Sequence, residues 1–367
     1  MRWIAIAVCY LSLGYLSLSS PNSAANTAPV PVADGFSIIW SLLPLDQQRL
    51  LVAERRGTLS LVNLASVQRQ TIAGLPDIHA AGQGGLLDMA ILNDDPKPWL
   101  YFTYSHPHQD GAITALARAR LDTQQLQLQS LETLLLSQSH GDGNRHYGSR
   151  IALTDKYLFI SIGDRGDRDT GQRLDTHAGK ILRLHHDGRV PADNPFVDDP
   201  TALNEIWSYG HRNPQGMVYD ARHEQLWAIE HGPRGGDELN LIRKGGNYGW
   251  ALVSQGKEYW NPAYVGDYRQ HPDMLDPLHS FTPSIAPGSL LLWQSDSRTT
   301  TLLAGALKLR HLNQLTIHHA DGGSIKEHRW LEDMDQRIRA LAKHPSGDLL
   351  FSIDDGVIYR WSPRSVE

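Results

Sequence analysis

Short apolar runs recur along the chain, each followed by a polar turn and a second apolar run. The paired segments are 50–54 with 59–62, 99–103 with 115–119, 157–161 with 180–184, 225–229 with 239–242, 302–305 with 314–317, and 348–352 with 357–361. These are six copies of strand, polar turn, strand, at intervals of roughly fifty to seventy-five residues. Periods of that size with several short strands predict a β-propeller. Helical periodicity is nearly absent, and 32 glycines and 20 prolines punctuate the chain throughout. The pattern therefore predicts an all-β fold, a six-bladed β-propeller over residues 35–367. Residues 36–40 are expected to close the ring beside the last blade, which removes exposed edges. A β-sandwich pair is the alternative, but it leaves the repeat unexplained.

The N-terminus departs from this pattern. Met1 and Arg2 precede a nearly continuous apolar or small stretch to Leu18, and Ser23, Ala24 and Ala25 form an acceptable cleavage site. Residues 1–25 read as a secretory signal peptide, residues 26–34 as a linker, and the protein as periplasmic or secreted. An uncleaved N-terminal anchor is the competing reading. No later segment is apolar enough to span a bilayer. Cys9 is the only cysteine; a lipoprotein role for it is disfavoured by the preceding Val8. The mature chain would hold no disulfide, thiol nucleophile or thiolate metal site. Charge is mixed, with 34 Lys and Arg against 40 Asp and Glu and a net charge of -6. Without a basic stripe, nucleic acid is excluded as an expected partner.

Two polar blocks, 209–216 and 230–238, carry Arg, Asn, Gln, His and acids among Gly and Pro. Such composition suits rigid loops that present cations, amides and bare carbonyls to a ligand. Propeller ligands bind where loops from several blades meet the central channel, so the loops after each first strand of a pair are the expected site. His146, in a Gly-flanked loop, suits a general base. Asp164, at the end of an apolar strand, suits the carboxylate that orients it. Asp167 and Asp169 alternate with arginines and read as a solvated, self-paired loop. Arg212, Lys308, Arg337 and Arg339, with Asn213, would form a cationic nest for a polycarboxylate. The alternation at residues 337–339 puts both guanidinium groups on one side. Gly232 and Pro233, with Asp237 and Glu238 beyond them, offer hard oxygen ligands that suit calcium better than zinc. A hairpin with glycine turns and a capping acid is the alternative there.

Taken with segments 82–87, 146–150, 163–166, 179–183, 247–250, 282–287 and 305–308, these blocks resemble the soluble, pyrroloquinoline-quinone-dependent aldose sugar dehydrogenases of the glucose/sorbosone dehydrogenase family. The match runs from about Gly82 to the C-terminus in the family's order. The resemblance implies a six-bladed propeller, with His146 as catalytic base, Asp164 as its partner and Arg212 as stabiliser of developing negative charge. It implies that Gln83, Arg212, Asn213, Tyr259, Ala306, Leu307, Lys308, Arg337, Ile338 and Arg339 hold the quinone (PQQ). It also implies that Gly232 and Pro233 bind the catalytic calcium (Ca2+), and Glu238 and Tyr248 a structural one. His231 stands where some members carry Gln, and Ser149 where many carry Gly. An aldose would be oxidised to a lactone, with electrons passing to an external acceptor, by a monomer or homodimer.

Two rivals use similar parts. A calcium-dependent propeller lactonase or esterase has no need of several arginines in one nest. A non-catalytic carbohydrate-binding propeller has no need of His146, Asp164 and Arg212 together.

Overall fold

Each predicted pair forms the middle of a four-stranded antiparallel sheet, and there are six such sheets among the described residues. The structure, a computed structural model, describes residues 28–92, 97–109, 111–141 and 143–363. The expected signal peptide and Cys9 lie outside them. Blade 1 runs from Ile39–Pro44 through Arg49–Glu54 and Thr58–Asn63 to Arg69–Thr71. Blade 2 comprises Leu86–Leu92, Trp99–His108, Gly111–Asp122 and Gln127–Leu136, and blade 3 Ile151–Leu153, Tyr157–Ile162, Lys180–His185 and Ile206–Tyr209. Blade 4 comprises Pro214–Asp220, Gln225–Glu230, Asp237–Ile242 and His279–Phe281. Blade 5 comprises Pro287–Ser295, Thr299–Ala306, Leu312–His318 and Ser324–Trp330. Blade 6 comprises Ile338–Lys343, Leu349–Ile353, Ile358–Trp361 and, last, Val30–Ala33. The protein is thus a six-bladed β-propeller.

Ring closure differs from the expectation. Val30–Ala33, assigned to the linker, pairs antiparallel with Ile358–Trp361, Val30 opposite Arg360 and Ala33 opposite Ile358. Pro31 is tolerated because an outermost strand needs no second ladder. The segment 36–40 instead leads into the innermost strand of blade 1, which neighbours that of blade 6.

The paired runs read as continuously apolar because blades pack face to face, burying both sides of each strand. Leu50 and Val52 meet Ala340, Leu350 and Ile358 of blade 6, whereas Leu51 and Ala53 meet Leu86, Phe102 and Ala117 of blade 2. Each fully buried leucine contributes about 1.5–3 kcal/mol.

A charged group joins the innermost strands around the channel. Arg150 donates to the carbonyls of Trp40 (3.3 Å), Gln215 (2.7 Å) and Gly288 (2.6 Å), and to Asp88 Oδ1 (3.1 Å). One buried guanidinium therefore ties blades 1, 2, 4 and 5. Antiparallel order brings two sets of loops to one face: those from the second to the third strand of a blade, and those entering each innermost strand. Only the first set was expected to carry the site.

Candidate active site

His146 and Asp164 come from these two kinds of loop in blade 3. His146 Nδ1 lies 2.6 Å from Asp164 Oδ1, so it donates to the carboxylate and leaves Nε2 as a lone pair. His146 and Asp164 both line a cleft of about 540 Å³. The backbone of His146 sits at φ 53°, in the left-handed region that favours glycine. Its N–H donates to Gln83 Oε1 (2.7 Å), which helps hold that conformation. Asp164 also accepts from Gly166 N–H (2.7 Å) and Trp250 Nε1–H (2.8 Å). Burial would raise the Asp164 carboxyl, but His146, Arg212 and Gly166 outweigh it and hold it below the usual carboxylate range. Burial lowers the His146 imidazole below its ordinary value, opposed by Asp164 and assisted by Arg212 and Arg145. The imidazole is therefore a neutral acceptor at neutral pH, which a base requires.

Arg212 stands across the cleft, its guanidinium 5.3 Å from the Trp250 ring and donating to the His231 carbonyl (3.0 Å). Glu230 supports it from below by accepting from the Arg212 N–H (2.7 Å) and from His211 Nδ1 (2.9 Å). His211 Nε2 lies 2.9 Å from Ser208 Oγ. Ser208, His211 and Glu230 thus have the hydrogen-bond order of a hydrolytic triad. All three are buried, so they brace Arg212 and present no nucleophile to a substrate. Asn213 is also a brace: its Oδ1 accepts from Gly148 N–H (3.1 Å) and Gln215 Nε2 (3.2 Å).

Gly232 and Pro233 follow in blade 4. Asp237 fixes this turn, accepting from Gly232 N–H (3.0 Å) and Ala286 N–H (2.6 Å); burial pushes its carboxyl up to about 6. The Pro233 carbonyl already accepts from Ser284 Oγ (3.0 Å) and Gly236 N–H (3.2 Å). Glu238 is raised well above the usual range by burial and by Glu230, Asp237 and Asp276. The Tyr248 hydroxyl donates to the Leu241 carbonyl (2.6 Å) and accepts from Arg243 N–H (2.8 Å), so only its main chain is free to bind a cation. Among the described residues, no three His, Cys, Asp or Glu side chains are grouped as metal ligands. His231 Nε2 donates to the Pro287 carbonyl (2.7 Å). Burial, with Arg212 and His146 adding to it, lowers that imidazole to about 3, so it stays neutral.

The expected cationic nest is divided. Arg337 and Arg339 do project to one side, and Asp354 holds both: Arg337 Nε at 2.6 Å, Arg339 Nε at 2.5 Å and Nη2 at 2.9 Å. Lys308 lies instead in an adjacent groove of about 460 Å³ with Arg234, Lys257 and Ser284. Ala306, Leu307 and Ile338 are buried, and Ile338 belongs to the blade 5–blade 6 core. The Leu307 carbonyl accepts from Arg337 Nη1 (2.8 Å), so what this segment offers the face is backbone. Tyr259 is exposed and lines the cleft beside Trp260.

The loop at 164–169 is not self-paired as expected. Arg168 makes a bidentate pair with Glu258 (2.6 and 2.8 Å), Arg165 is buried against Tyr147, and Asp167 caps the short 3-10 helix Arg168–Gln172. Both acids nevertheless line the cleft. The reason is tertiary: the 251–278 segment brings Glu258 to Arg168 across 90 residues of chain. Trp250, Glu230 and Asp354, which hold the candidate residues in place, were not singled out as site residues; only Glu230 fell within a polar block, and Trp250 within the matched segment 247–250.

A sequence model of the glucose/sorbosone dehydrogenase family matches residues 36–360. The aldose sugar dehydrogenase YliI of Escherichia coli is 35% identical over 341 residues, covering 89% of this chain and 90% of the relative. The crystal structure of the soluble aldose sugar dehydrogenase from Escherichia coli, in its apo-form, superposes with a TM-score of 0.85 at 32% identity, over 92% of this chain and 99% of that one. The PQQ-bound aldose sugar dehydrogenase of Streptomyces coelicolor gives a TM-score of 0.74 at 25% identity, over 90% and 96%.

Proposed function

Since the chain belongs to the glucose/sorbosone dehydrogenase family, we propose that it is a periplasmic, PQQ- and calcium-dependent enzyme that oxidises aldoses at the anomeric carbon to lactones. The observation that carries this reading is the His146–Asp164 pair, with an acceptor nitrogen facing a cleft that Arg212 closes on the other side.

The residues present fit the quinone. Arg337 and Arg339 carry one positive charge more than Asp354 neutralises, as an anionic carboxylate requires, while Lys308 stands in the adjacent groove. Arg212 and Tyr259, which line the cleft, would hold the quinone with Gln83 and Asn213, and Ala306, Leu307 and Ile338 would hold it from the cationic side. The fit to calcium rests on the Gly232 and Pro233 carbonyls, where the ion would compete with Ser284 and Gly236 for Pro233. Half-buried Glu238, among Glu230, Asp237 and Asp276, is the kind of negative site that a second calcium would relieve, with the Tyr248 carbonyl as co-ligand. When bound, the quinone supplies the hydride acceptor and calcium the Lewis acid that polarises it.

The chain's own residues do the rest. His146 Nε2 takes the proton of the anomeric hydroxyl. Asp164 fixes the tautomer and stabilises the imidazolium that results. The Arg212 guanidinium supplies positive charge where negative charge develops, preorganised by Glu230 and Trp250. Trp250, Tyr259 and Trp260 wall the cleft with aromatic surface suited to a sugar ring.

The test is to mix the purified protein with calcium and PQQ and assay aldose-dependent reduction of an artificial dye. Dye reduction that needs both PQQ and an aldose supports the proposal. No reduction with any aldose, despite cofactor uptake, overturns it. Ester or lactone hydrolysis without PQQ would favour the hydrolase instead.

A further inference from the structure

Arg55 stands in the turn after the strand Arg49–Glu54 of blade 1, which neighbours blade 6, and it interacts electrostatically with Arg339 and Asp354 of that blade. Its backbone is fixed: the N–H donates to the Ile38 carbonyl (2.9 Å) and the carbonyl accepts from Leu86 N–H (3.1 Å). Its side chain leaves this turn across Gly85. A Cβ at Gly85 would lie 1.7 Å from the Arg55 carbonyl oxygen and 2.8 Å from its Cγ, so only glycine leaves this path open. Gly85 is two residues from Gln83, whose amide holds the backbone of His146.

The Arg55 guanidinium is partly buried, yet among the described residues it has no hydrogen bond or ion pair. Its charged neighbours are Arg339, which repels it, and Asp354, which is already shared by Arg337 and Arg339. Burial and Arg339 push it below its ordinary value, and Asp354 only partly opposes them. Arg55 thus adds a third positive charge beside the Arg337–Asp354–Arg339 group, without itself bonding the carboxylate, and the group carries an excess of two positive charges. A partly buried charge without a counter-ion is costly. The arrangement is balanced if an anion from outside the chain completes it.

We propose that Arg55 is a cofactor-binding residue, which grips a carboxylate of the quinone together with Arg337 and Arg339. The inference rests on the cofactor reading above and adds the residue that completes its anionic contact. Arg can approach a carboxylate with two parallel N–H donors, and such charge-assisted pairs are among the stronger hydrogen bonds.

The experiment is a titration of the calcium-loaded full chain with PQQ, followed by quenching of tryptophan fluorescence, for wild type, Arg55→Gln and Arg55→Lys. Loss of one charge-assisted pair predicts that Arg55→Gln weakens Kd on the order of tenfold to a hundredfold, with Arg55→Lys in between. Melting curves supply the control. Without cofactor, Arg55→Gln should melt at or above the wild-type temperature, because a like-charge contact is removed. With saturating PQQ it should melt below wild type. Wild-type uptake of PQQ with an unchanged Kd for Arg55→Gln overturns this inference alone. A loss of stability that is equal with and without PQQ also overturns it, since that marks a purely structural role. No uptake by wild type overturns the cofactor reading and this inference with it.

Discussion

At the scale of single residues, the site stores strain where it needs accuracy. His146 occupies left-handed backbone space, at a cost on the order of 1–3 kcal/mol, and is held there by Gln83 from one side and Asp164 from the other. Asp164→Asn tests the second hold. The amide would favour the wrong imidazole tautomer, and turnover should fall on the order of a thousandfold or more. Asp164 raises the His146 pKa against burial. Its loss should therefore move the acid limb of kcat/KM to lower pH, which a pH–rate profile checks; a limb that moves to higher pH would contradict the assignment. His146, Asp164 and Arg212 were legible in the sequence because each sits at a strand end in a Gly-rich block. Trp250 and Asp354 were not recognised as their partners, because they act on residues 86 and 15–17 positions away and nothing local marks that role.

At the scale of elements, the middle strands of all six blades were legible because both their faces are buried and their apolar runs are unbroken. The innermost strands were not. Those of blades 1, 2, 4, 5 and 6 carry a register shift near the start, and that of blade 3 is three residues long. Bulges break the two-residue period while re-aiming side chains at the channel. Outermost strands such as Arg69–Thr71 are short and polar, and read as turns. The closing strand Val30–Ala33 was taken for a linker because its proline and brevity hide its pairing. A chain starting at Asp34 would leave Ile358–Trp361 as an open edge. It should lose several kcal/mol, melt about 5 °C or more lower, and aggregate more readily. An unchanged melting curve would show that this strand is not needed for closure. Lys180 acts at the same scale. Its ammonium donates to the carbonyls of Thr170 (2.7 Å), Gly171 (3.3 Å) and Ala178 (2.6 Å), pinning the loop that follows Asp164; burial lowers it to about 7.

At the scale of the whole molecule, six similar sheets are made into one object by the groups in the channel. Arg150, at the start of blade 3, is the shared partner of blades 1, 2, 4 and 5, and Arg150→Met would leave Asp88 buried without its counter-ion. Denaturant unfolding should then show a loss of about 3–5 kcal/mol; a loss under about 1 kcal/mol would contradict its role as the central tie. The repeat made the propeller legible, but the division of labour on its face was not, since the chain supplies the dyad from blade 3, the guanidinium from blade 4 and the cationic side from blades 5 and 6. The central claim is that these parts meet around one quinone, with His146 as the base. Its most direct test is a single-turnover measurement on calcium- and PQQ-loaded protein, wild type and His146→Ala, mixed with excess aldose and followed by the quinone absorbance. The account predicts rapid reduction in wild type, and in His146→Ala unchanged PQQ affinity with reduction slowed on the order of a hundredfold or more. Reduction at the wild-type rate in a fully loaded His146→Ala variant would contradict it.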